Sequence, residues 1–344
     1  SVADTHHLPR PIESMIAYLQ SEDFSLIAAE NDRHHLKWYE RVGLRNLCWA
    51  PNVALTPQKL HPRKMFEKTM GVCFAGSLGR FHPYRSKVVR YLQDNTSYLH
   101  VASPTQAQAS YMYNSFLISL NISLNADLNW RFFEVLAAGG FLLTDRLSPR
   151  SGIKSLFTEG KHYEAFGCEN ELMEKINFYI SNPLAASKIA TSGFNQYWNI
   201  CSPSHIRKDM LSRIFLLKGN PLFDYSFGKE MALYGLRHLR AYQALQELHR
   251  RFCAVKVIVD LESLRGLVDD LGDYMRISVV GLNAFRSTDS FSSSSFDEPV
   301  AMVLVLSSTQ DLTELAPKVF SQALHCSRFI VFADSNYAVG QLQS

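Results

Sequence analysis

The sequence predicts an α/β protein built from parallel β-sheets flanked by helices. Short apolar runs alternate along the chain with longer amphipathic segments, a pattern typical of strands joined by crossover helices. The chain has 344 residues, which is more than one hydrophobic core usually accommodates, so more than one domain is expected. Hydrophobic residues make up 47% of the chain and charged residues 19%, a composition that excludes global disorder.

The predicted strands are short apolar runs that end in small or polar residues. Five of them lie in the first half of the chain, at 24–29, 71–76, 97–102, 115–120 and 140–144. Four more lie in the last third, at 255–260, 276–281, 300–306 and 329–334. Helical periodicity is clearest at 84–92, 130–138 and 169–181. Residues 47–57 have the proline- and asparagine-containing composition of a linker.

Charge, cysteine content and hydropathy exclude several classes of protein. The net charge is only +3 with no long run of one sign, so neither nucleic acid nor a membrane surface is an expected partner. No run approaches the roughly 20 apolar residues of a membrane span, and the first residues lack the pattern of a secretory signal. Six scattered cysteines without a Cys-x-x-Cys pair favour free thiols, and therefore a cytoplasmic protein.

Residues 125–145 carry the chemical prediction. Polar residues, including Asn129, precede a predicted helix whose free backbone N–H groups and dipole favour a phosphate or carboxylate. Arg131 in the first turn can grip a diphosphate with two hydrogen bonds, and Glu134 can accept hydrogen bonds from a ribose diol. A surface ion pair between Arg131 and Glu134, spaced i, i+3, is the alternative interpretation.

The helix is followed by a turn, Gly139-Gly140, and then by an apolar strand. Residues without a side chain permit a close backbone approach that any other residue would block. Gly139 and Gly140 are therefore predicted to lie against the bound donor.

The ordered block resembles the glycosyl transferase group 1-like domain of the CgeB spore-maturation type. The resemblance is carried by Asn-x-Arg-x-Phe-Glu at 129–134 and Gly-Gly-Phe-Leu-Leu-Thr-Asp at 139–145. It covers roughly residues 20–200 and is strongest at 115–195. It implies a GT-B fold, in which two Rossmann-like domains face one another and the C-terminal one holds the donor.

The resemblance also implies the roles of individual residues. Glu134 matches the glutamate that contacts the nucleotide ribose, and Arg131 matches a basic residue near the diphosphate. The other positions matched to diphosphate binding are Gly76, Ser77, Arg80 and, in a following loop, Lys161. The implied reaction moves a sugar from a nucleotide-diphosphate sugar to an unidentified hydroxyl of a glycan, lipid-linked or protein acceptor. No cofactor or metal is expected, since the helix dipole and arginine can stabilise the departing diphosphate.

The domain organisation is expected to depart from a complete enzyme of this type. Residues 1–50 are the remnant or end of an N-terminal acceptor-side Rossmann-like domain, which usually needs more than about 100 residues. Residues 51–220 are the nucleotide-sugar-binding Rossmann-like domain, and residues 221–253 a helical connection. Residues 254–344 are an additional α/β region, where residues 261–264 lack the small side chains of a methyltransferase-like cofactor loop.

A second departure concerns catalysis. Ala126 stands eight positions before Glu134, where the broader retaining group often carries a second glutamate. The stereochemical outcome therefore stays open. The alternative function is a catalytically inactive GT-B-like binding or assembly module.

Two polar clusters near the start are candidates for the acceptor side of the cleft. Asp4, His6 and His7 could position or deprotonate an acceptor hydroxyl, because histidine titrates near neutral pH; an exposed, flexible terminus is the alternative. Asn31 and His34 follow the strand at 24–29, and loops at the carboxyl ends of parallel strands face the ligand crevice. Helix capping is the alternative for Asn31. The histidines lack metal-ligand spacing, so no metal site is predicted.

Overall fold

The chain divides into two compact units, residues 1–78 with 88–227 and residues 79–87 with 228–344. The predicted boundary near residue 50 falls inside the first unit, and the four-region division stays a prediction. The computed structural model describes residues 12–30, 33, 36–41, 43–78, 83–123, 128–147, 151–215, 219–223, 254–259, 277–281, 300–305 and 328–332.

Helices and strands alternate between residues 69 and 181, as the sequence pattern predicts, and consecutive helices follow up to residue 214. The strands are β1 Ile27–Ala29, β2 Leu47–Trp49, β3 Thr69–Ala75, β4 Leu99–Ala102, β5 Phe116–Asn121, β6 Leu142–Asp145 and β7 Glu164–Phe166. The helices are α1 Ile12–Ser21, α2 Leu36–Arg41, α3 Pro83–Asn95, α4 Gln106–Ser115, α5 Trp130–Ala137, α6 Ile153–Leu156, α7 Glu169–Ser181, α8 Pro183–Gln196 and α9 Pro203–Ile214. None of the helices in the described part of the chain is long and apolar enough to cross a membrane.

The main sheet has five strands in the order β4-β3-β5-β6-β7, and every neighbouring pair is parallel. The middle strands are buried along most of their length. Parallel sheets covered on both faces need strands that are apolar on both sides, which is why these strands were visible in the sequence as continuous apolar runs. The predicted α/β class with parallel sheets flanked by helices is confirmed.

The prediction of a linker at 47–57 is wrong for its first three residues. They form β2, which is fully buried and pairs in parallel with β1, with Ala29 opposite Trp49. Asn46 and Asn52 flank this strand with positive φ angles of 54°, a conformation that asparagine tolerates better than most residues. The run is short and its flanks are rich in turn-forming residues, so the composition resembled a linker.

An aromatic cluster fixes the helix that carries the predicted site. Phe132 on α5 packs against Phe157 and Tyr163, with ring centroids 5.4 Å and 5.3 Å apart. Phe133 packs against Tyr197 at 6.3 Å. The buried face of α5 is therefore anchored on several sides, and its remaining residues are only partly covered.

In the second unit, the described residues form a four-stranded parallel sheet in the order β11-β10-β8-β9. Its strands are β8 Ala254–Val259, β9 Ile277–Gly281, β10 Val300–Val305 and β11 Arg328–Phe332. Each lies within one or two residues of a strand predicted from the sequence, so these four predictions are confirmed.

Candidate functional site

The candidate site lies where the strand order of the main sheet reverses. β4 lies on one side of β3, whereas β5 and the strands after it lie on the other. In open α/β sheets, ligands bind outside the carboxyl ends of the strands at such a reversal. Gly76 directly follows β3, Asn121 ends β5, and α5 begins at Trp130. The predicted donor-binding motif therefore lies at the edge where this fold class binds ligands.

The guanidinium of Arg131 is held in place by three contacts. It lies over the ring of Phe74, with its carbon 4.9 Å from the ring centroid. Its Nη1 donates to Oδ1 of Asn121 at 3.3 Å and to the carbonyl oxygen of Ile122 at 3.5 Å. The side chain remains partly exposed. A fixed, partly desolvated cation is a strong binder of an anion, because its charge is poorly screened and its geometry is already set.

Gly76 makes room for this arginine. A Cβ atom at this position would collide with Nη2 of Arg131, while the backbone N–H of Gly76 donates to Ala102 at 2.8 Å. The absent side chain thus admits the guanidinium rather than the ligand. Ser77, the next residue, is exposed beside it. The structure thus places Arg131 against Gly76, next to Ser77 in the chain, and the donor-binding role of these residues stays a prediction.

Asn121 links the guanidinium of Arg131 to Asn129, the capping residue of α5, and was missed by the sequence analysis. Its Oδ1 accepts from Arg131 and from Nδ2 of Asn129 at 3.2 Å, and its Nδ2 donates to Thr144 at 3.0 Å. The Oδ1 of Asn129 in turn accepts from the backbone N–H of Phe132, capping the helix. Asn121 is completely buried. A polar residue at the end of an apolar strand, beside the strand reversal, was the signal that could have revealed it.

Glu134 lies one helical turn after Arg131 and is partly exposed. Its Oε1 accepts from Nε2 of Gln106 at 3.2 Å. Burial raises the pKa of this carboxyl group above its ordinary value, and the nearby Arg131 opposes the shift. Arg131 and Glu134 thus hydrogen-bond to different neighbours, and the ribose-binding role of Glu134 stays a prediction.

Asp145, at the end of β6, holds the chain that leaves β5. Its two carboxylate oxygens accept from the backbone N–H and the hydroxyl group of Ser123, at 2.8 and 2.5 Å. The group is buried. It therefore fixes the carboxyl edge of the sheet next to Asn121, a role that the sequence analysis had not assigned.

The structure corrects the explanation given for Gly139 and Gly140. Gly139 has a φ of +68°, and a Cβ atom there would lie 2.7 Å from the backbone nitrogen of Pro62. A Cβ atom on Gly140 would lie 2.8 Å from the carbonyl oxygen of Tyr113. Both residues are buried at the end of α5 away from Asn129. The close approach at these glycines is made by the protein's own backbone.

Lys161 does not join the cluster. It is exposed in the turn before β7, on the amino-terminal side of that strand. Gly76 and Asn121 lie at the carboxyl ends of strands running in the same direction. The remaining predicted residues lie outside the described part of the chain and stay predictions: Asp4, His6, His7, Asn31, His34 and Arg80.

Strand β1 is followed by a buried acidic residue that the sequence analysis overlooked. Glu30 directly follows β1 and is 7% exposed. Its carboxylate accepts from the backbone N–H of Ala54 and from the indole N–H of Trp130. Within the described ranges, no group of three or more His, Cys, Asp or Glu side chains is arranged to hold a metal ion.

Comparison with known proteins agrees with the geometry. Residues 63–212 match the family described as "Glycosyl transferase-like". This segment contains the whole five-stranded sheet and α5. Among curated proteins, none matches the chain.

Solved structures similar to this chain include two of TarM. One is described as the crystal structure of TarM, with a TM-score of 0.47 and 9% identity over 62% of this chain and 49% of TarM. The other is a mutant of S. aureus TarM in complex with fondaparinux, alpha-GlcNAc-glycerol and UDP, with a TM-score of 0.45 and 9% identity over 62% of this chain and 50% of that one. The matched part of this chain spans about half the length of these proteins.

Proposed function

We propose that this chain carries the donor-binding domain of a GT-B glycosyltransferase of the CgeB type. It transfers a sugar from a nucleotide-diphosphate sugar to a hydroxyl group of a glycan, lipid-linked or protein acceptor. The observation that carries the proposal is the Arg131 guanidinium, fixed by Phe74 and Asn121 at the strand reversal beside the start of α5. The match of residues 63–212 to a glycosyl transferase-like family supports the reaction class.

The diphosphate is the leaving group, so the site must stabilise negative charge that develops as the glycosidic bond breaks. Arg131 supplies a cation whose position is already set, and the free N–H groups at the start of α5 supply partial positive charge. Both act without a metal ion, and the proposal includes none. Ser77 and Arg80 complete the diphosphate contacts in this proposal.

In this proposal Glu134 binds the ribose. Its carboxylate is partly exposed one turn from Arg131, and Gln106 occupies only one of its oxygens. The remaining oxygen can accept from a ribose hydroxyl. Lys161 is left out, because it lies on the amino-terminal side of β7.

The acceptor side of the proposal rests on the sequence. Asp4, His6 and His7 remain our candidates for positioning the acceptor hydroxyl, with Asn31 and His34 lining the cleft. We place the reaction in the cytoplasm, and the free thiols of Cys48, Cys73, Cys168 and Cys201 support a reducing compartment.

Nucleotide binding tests the proposal directly. Thermal unfolding is measured with UDP, GDP, CMP, ADP and dTDP; a ligand at about 100 times its Kd should stabilise the protein by about 2.7 kcal/mol. The variant Arg131→Gln should lose that stabilisation, because it removes the charge that meets the diphosphate. Arg90→Gln, which removes the same charge from an exposed position of α3, should keep it. If no nucleotide stabilises the wild type, the proposal fails.

An inactive binding module is the second candidate, favoured by Ala126 at the position of the second glutamate. Release of nucleoside diphosphate from sugar nucleotides separates the two functions. Turnover that disappears in Arg131→Gln establishes a transferase. Nucleotide binding without turnover, with any acceptor extract supplied, favours the module.

A further inference from the structure

Glu30 is a buried carboxylate with both of its oxygens in use. Oε1 accepts from the backbone N–H of Ala54 at 2.5 Å, and Oε2 accepts from Nε1 of Trp130 at 3.3 Å. The residue is 7% exposed. Burying a carboxylate is costly unless it is hydrogen-bonded. These two bonds satisfy the carboxylate and tie the indole of Trp130 to the end of β1, a hundred residues earlier in the chain.

Trp130 itself remains 47% exposed. It is the first residue of α5, adjacent to Arg131 and four residues before Glu134, so it shares a helix face with Glu134. Tryptophan is usually well buried in a monomeric fold. Here one edge of the ring is fixed by Glu30 while much of its surface is open, and the residue precedes Arg131 in the first turn of α5.

We propose that the open surface of Trp130 packs against the sugar ring of the donor, and that Glu30 is the positioning residue that orients it. The inference rests on the proposed function. Along α5, Glu134 meets the ribose, Arg131 meets the diphosphate, and Trp130 comes next toward the start of the helix. In a nucleotide sugar, the sugar follows the diphosphate in the same order.

The open surface of the Trp130 indole and one face of a sugar ring are chemically complementary. One face of a pyranose ring presents mainly C–H groups, and an indole offers a flat apolar surface with a polar edge that needs a partner. Ligand sites commonly combine such apolar walls with a few fixed polar groups. The N–H edge of Trp130 is already satisfied by Glu30, so the ring contributes shape and apolar contact, which select among sugars.

The test compares a nucleoside diphosphate with its own sugar nucleotide. Calorimetric Kd values are measured for whichever of UDP, GDP, ADP and dTDP stabilises the wild type, each paired with a sugar nucleotide of the same base: UDP-glucose or UDP-N-acetylglucosamine, GDP-mannose, ADP-glucose or dTDP-glucose. Trp130→Ala should weaken binding of the sugar nucleotide by about fivefold to tenfold, while the Kd of the nucleoside diphosphate changes less than about twofold. Phe178→Ala, which removes another exposed aromatic ring from α7, should change neither.

Two further variants separate positioning from folding. Glu30→Gln keeps the shape of the side chain but cannot accept both hydrogen bonds, so it should reduce the sugar-nucleotide preference in the same selective way. In the Trp130→Phe background, which has no ring N–H, Glu30→Gln should have no further selective effect. A general loss of folding would weaken both ligands together and would not change their ratio.

The outcomes distinguish this inference from the function on which it rests. Wild type that binds neither ligand of any pair overturns the proposed function, and this inference with it. If the wild type binds both ligands of a pair, and Trp130→Ala weakens the binding of both equally or of neither, then only the role of Trp130 is overturned.

Discussion

Two buried asparagines lie near opposite ends of β5, and their side chains have different partners. Asn114, just before the strand, has its Oδ1 bonded to Arg63 and its Nδ2 bonded to the carbonyl oxygens of His61 and Ala138. Asn121, at the far end, bonds to Asn129, Arg131 and Thr144. Both side chains are buried. The first bonds mostly to backbone, whereas the second bonds only to side chains, two of which reach the partly exposed start of α5.

This difference indicates that the two edges of the sheet have different roles. At the amino-terminal edge, Asn114 and the buried Lys68 fasten the extended chain before β3, and Lys68 donates to the carbonyl oxygens of Asn114 and Phe116. At the carboxyl edge, Asn121 fixes a cation that has a partly open surface. Substitutions at the first edge should therefore cost stability, and those at the second should cost binding.

The largest effects on stability and binding are expected from substitution of the two asparagines. Asn114→Ala leaves the buried carbonyl oxygen of Ala138, the part-buried carbonyl oxygen of His61 and one N–H of Arg63 without this partner. We therefore expect a loss of about 3 kcal/mol in the free energy of unfolding. Asn121→Ala should cost about 2 kcal/mol but weaken nucleotide binding by about tenfold, because Arg131 loses its anchor. Urea unfolding and calorimetric titration of the folded protein measure both quantities. Equal effects of the two variants on binding would contradict the assignment of the edges.

The same comparison shows what the sequence could and could not predict. The strands were predictable because buried parallel strands are apolar on both faces. The start of α5 was predictable because polar capping residues such as Asn129 precede its apolar pattern. The roles of Asn114 and Asn121 were not predictable, since a polar residue at either end of an apolar run is ambiguous until its partners are known. The contact between Glu30 and Trp130 joins residues too far apart in the chain for local patterns to reveal.

Substitution of one glycine at each edge of the sheet tests the same difference, with a smaller expected effect. Gly139→Ala forces a side chain onto a residue with φ of +68° and against the backbone of residues 60–62, which cannot move easily. We expect a loss of about 2 kcal/mol in stability with unchanged nucleotide affinity. Gly76→Ala meets a side chain instead, the guanidinium of Arg131, which can be displaced from Phe74 and Asn121 more easily than backbone can shift. It should therefore cost below about 1 kcal/mol in stability but weaken binding several-fold. Thermal unfolding with and without nucleotide measures both, and a binding defect confined to Gly139→Ala would reverse the interpretation.

The smallest expected effect concerns the pH dependence of stability at the amino-terminal edge. Burial lowers the pKa of Lys68 from 10.5 to about 8, with a further contribution from Arg63. Between those two pH values the unfolded chain binds more protons at this residue than the folded one, so Lys68 makes stability rise with pH. The free energy of unfolding of the wild type, relative to that of Lys68→Met, should increase by about 1 kcal/mol from pH 8 to pH 9. The buried thiols and phenols oppose this trend but are common to both proteins, so they cancel in the difference. A difference that stays constant or falls over this interval would show that the Lys68 ammonium is as well solvated at this edge as it is in the unfolded chain.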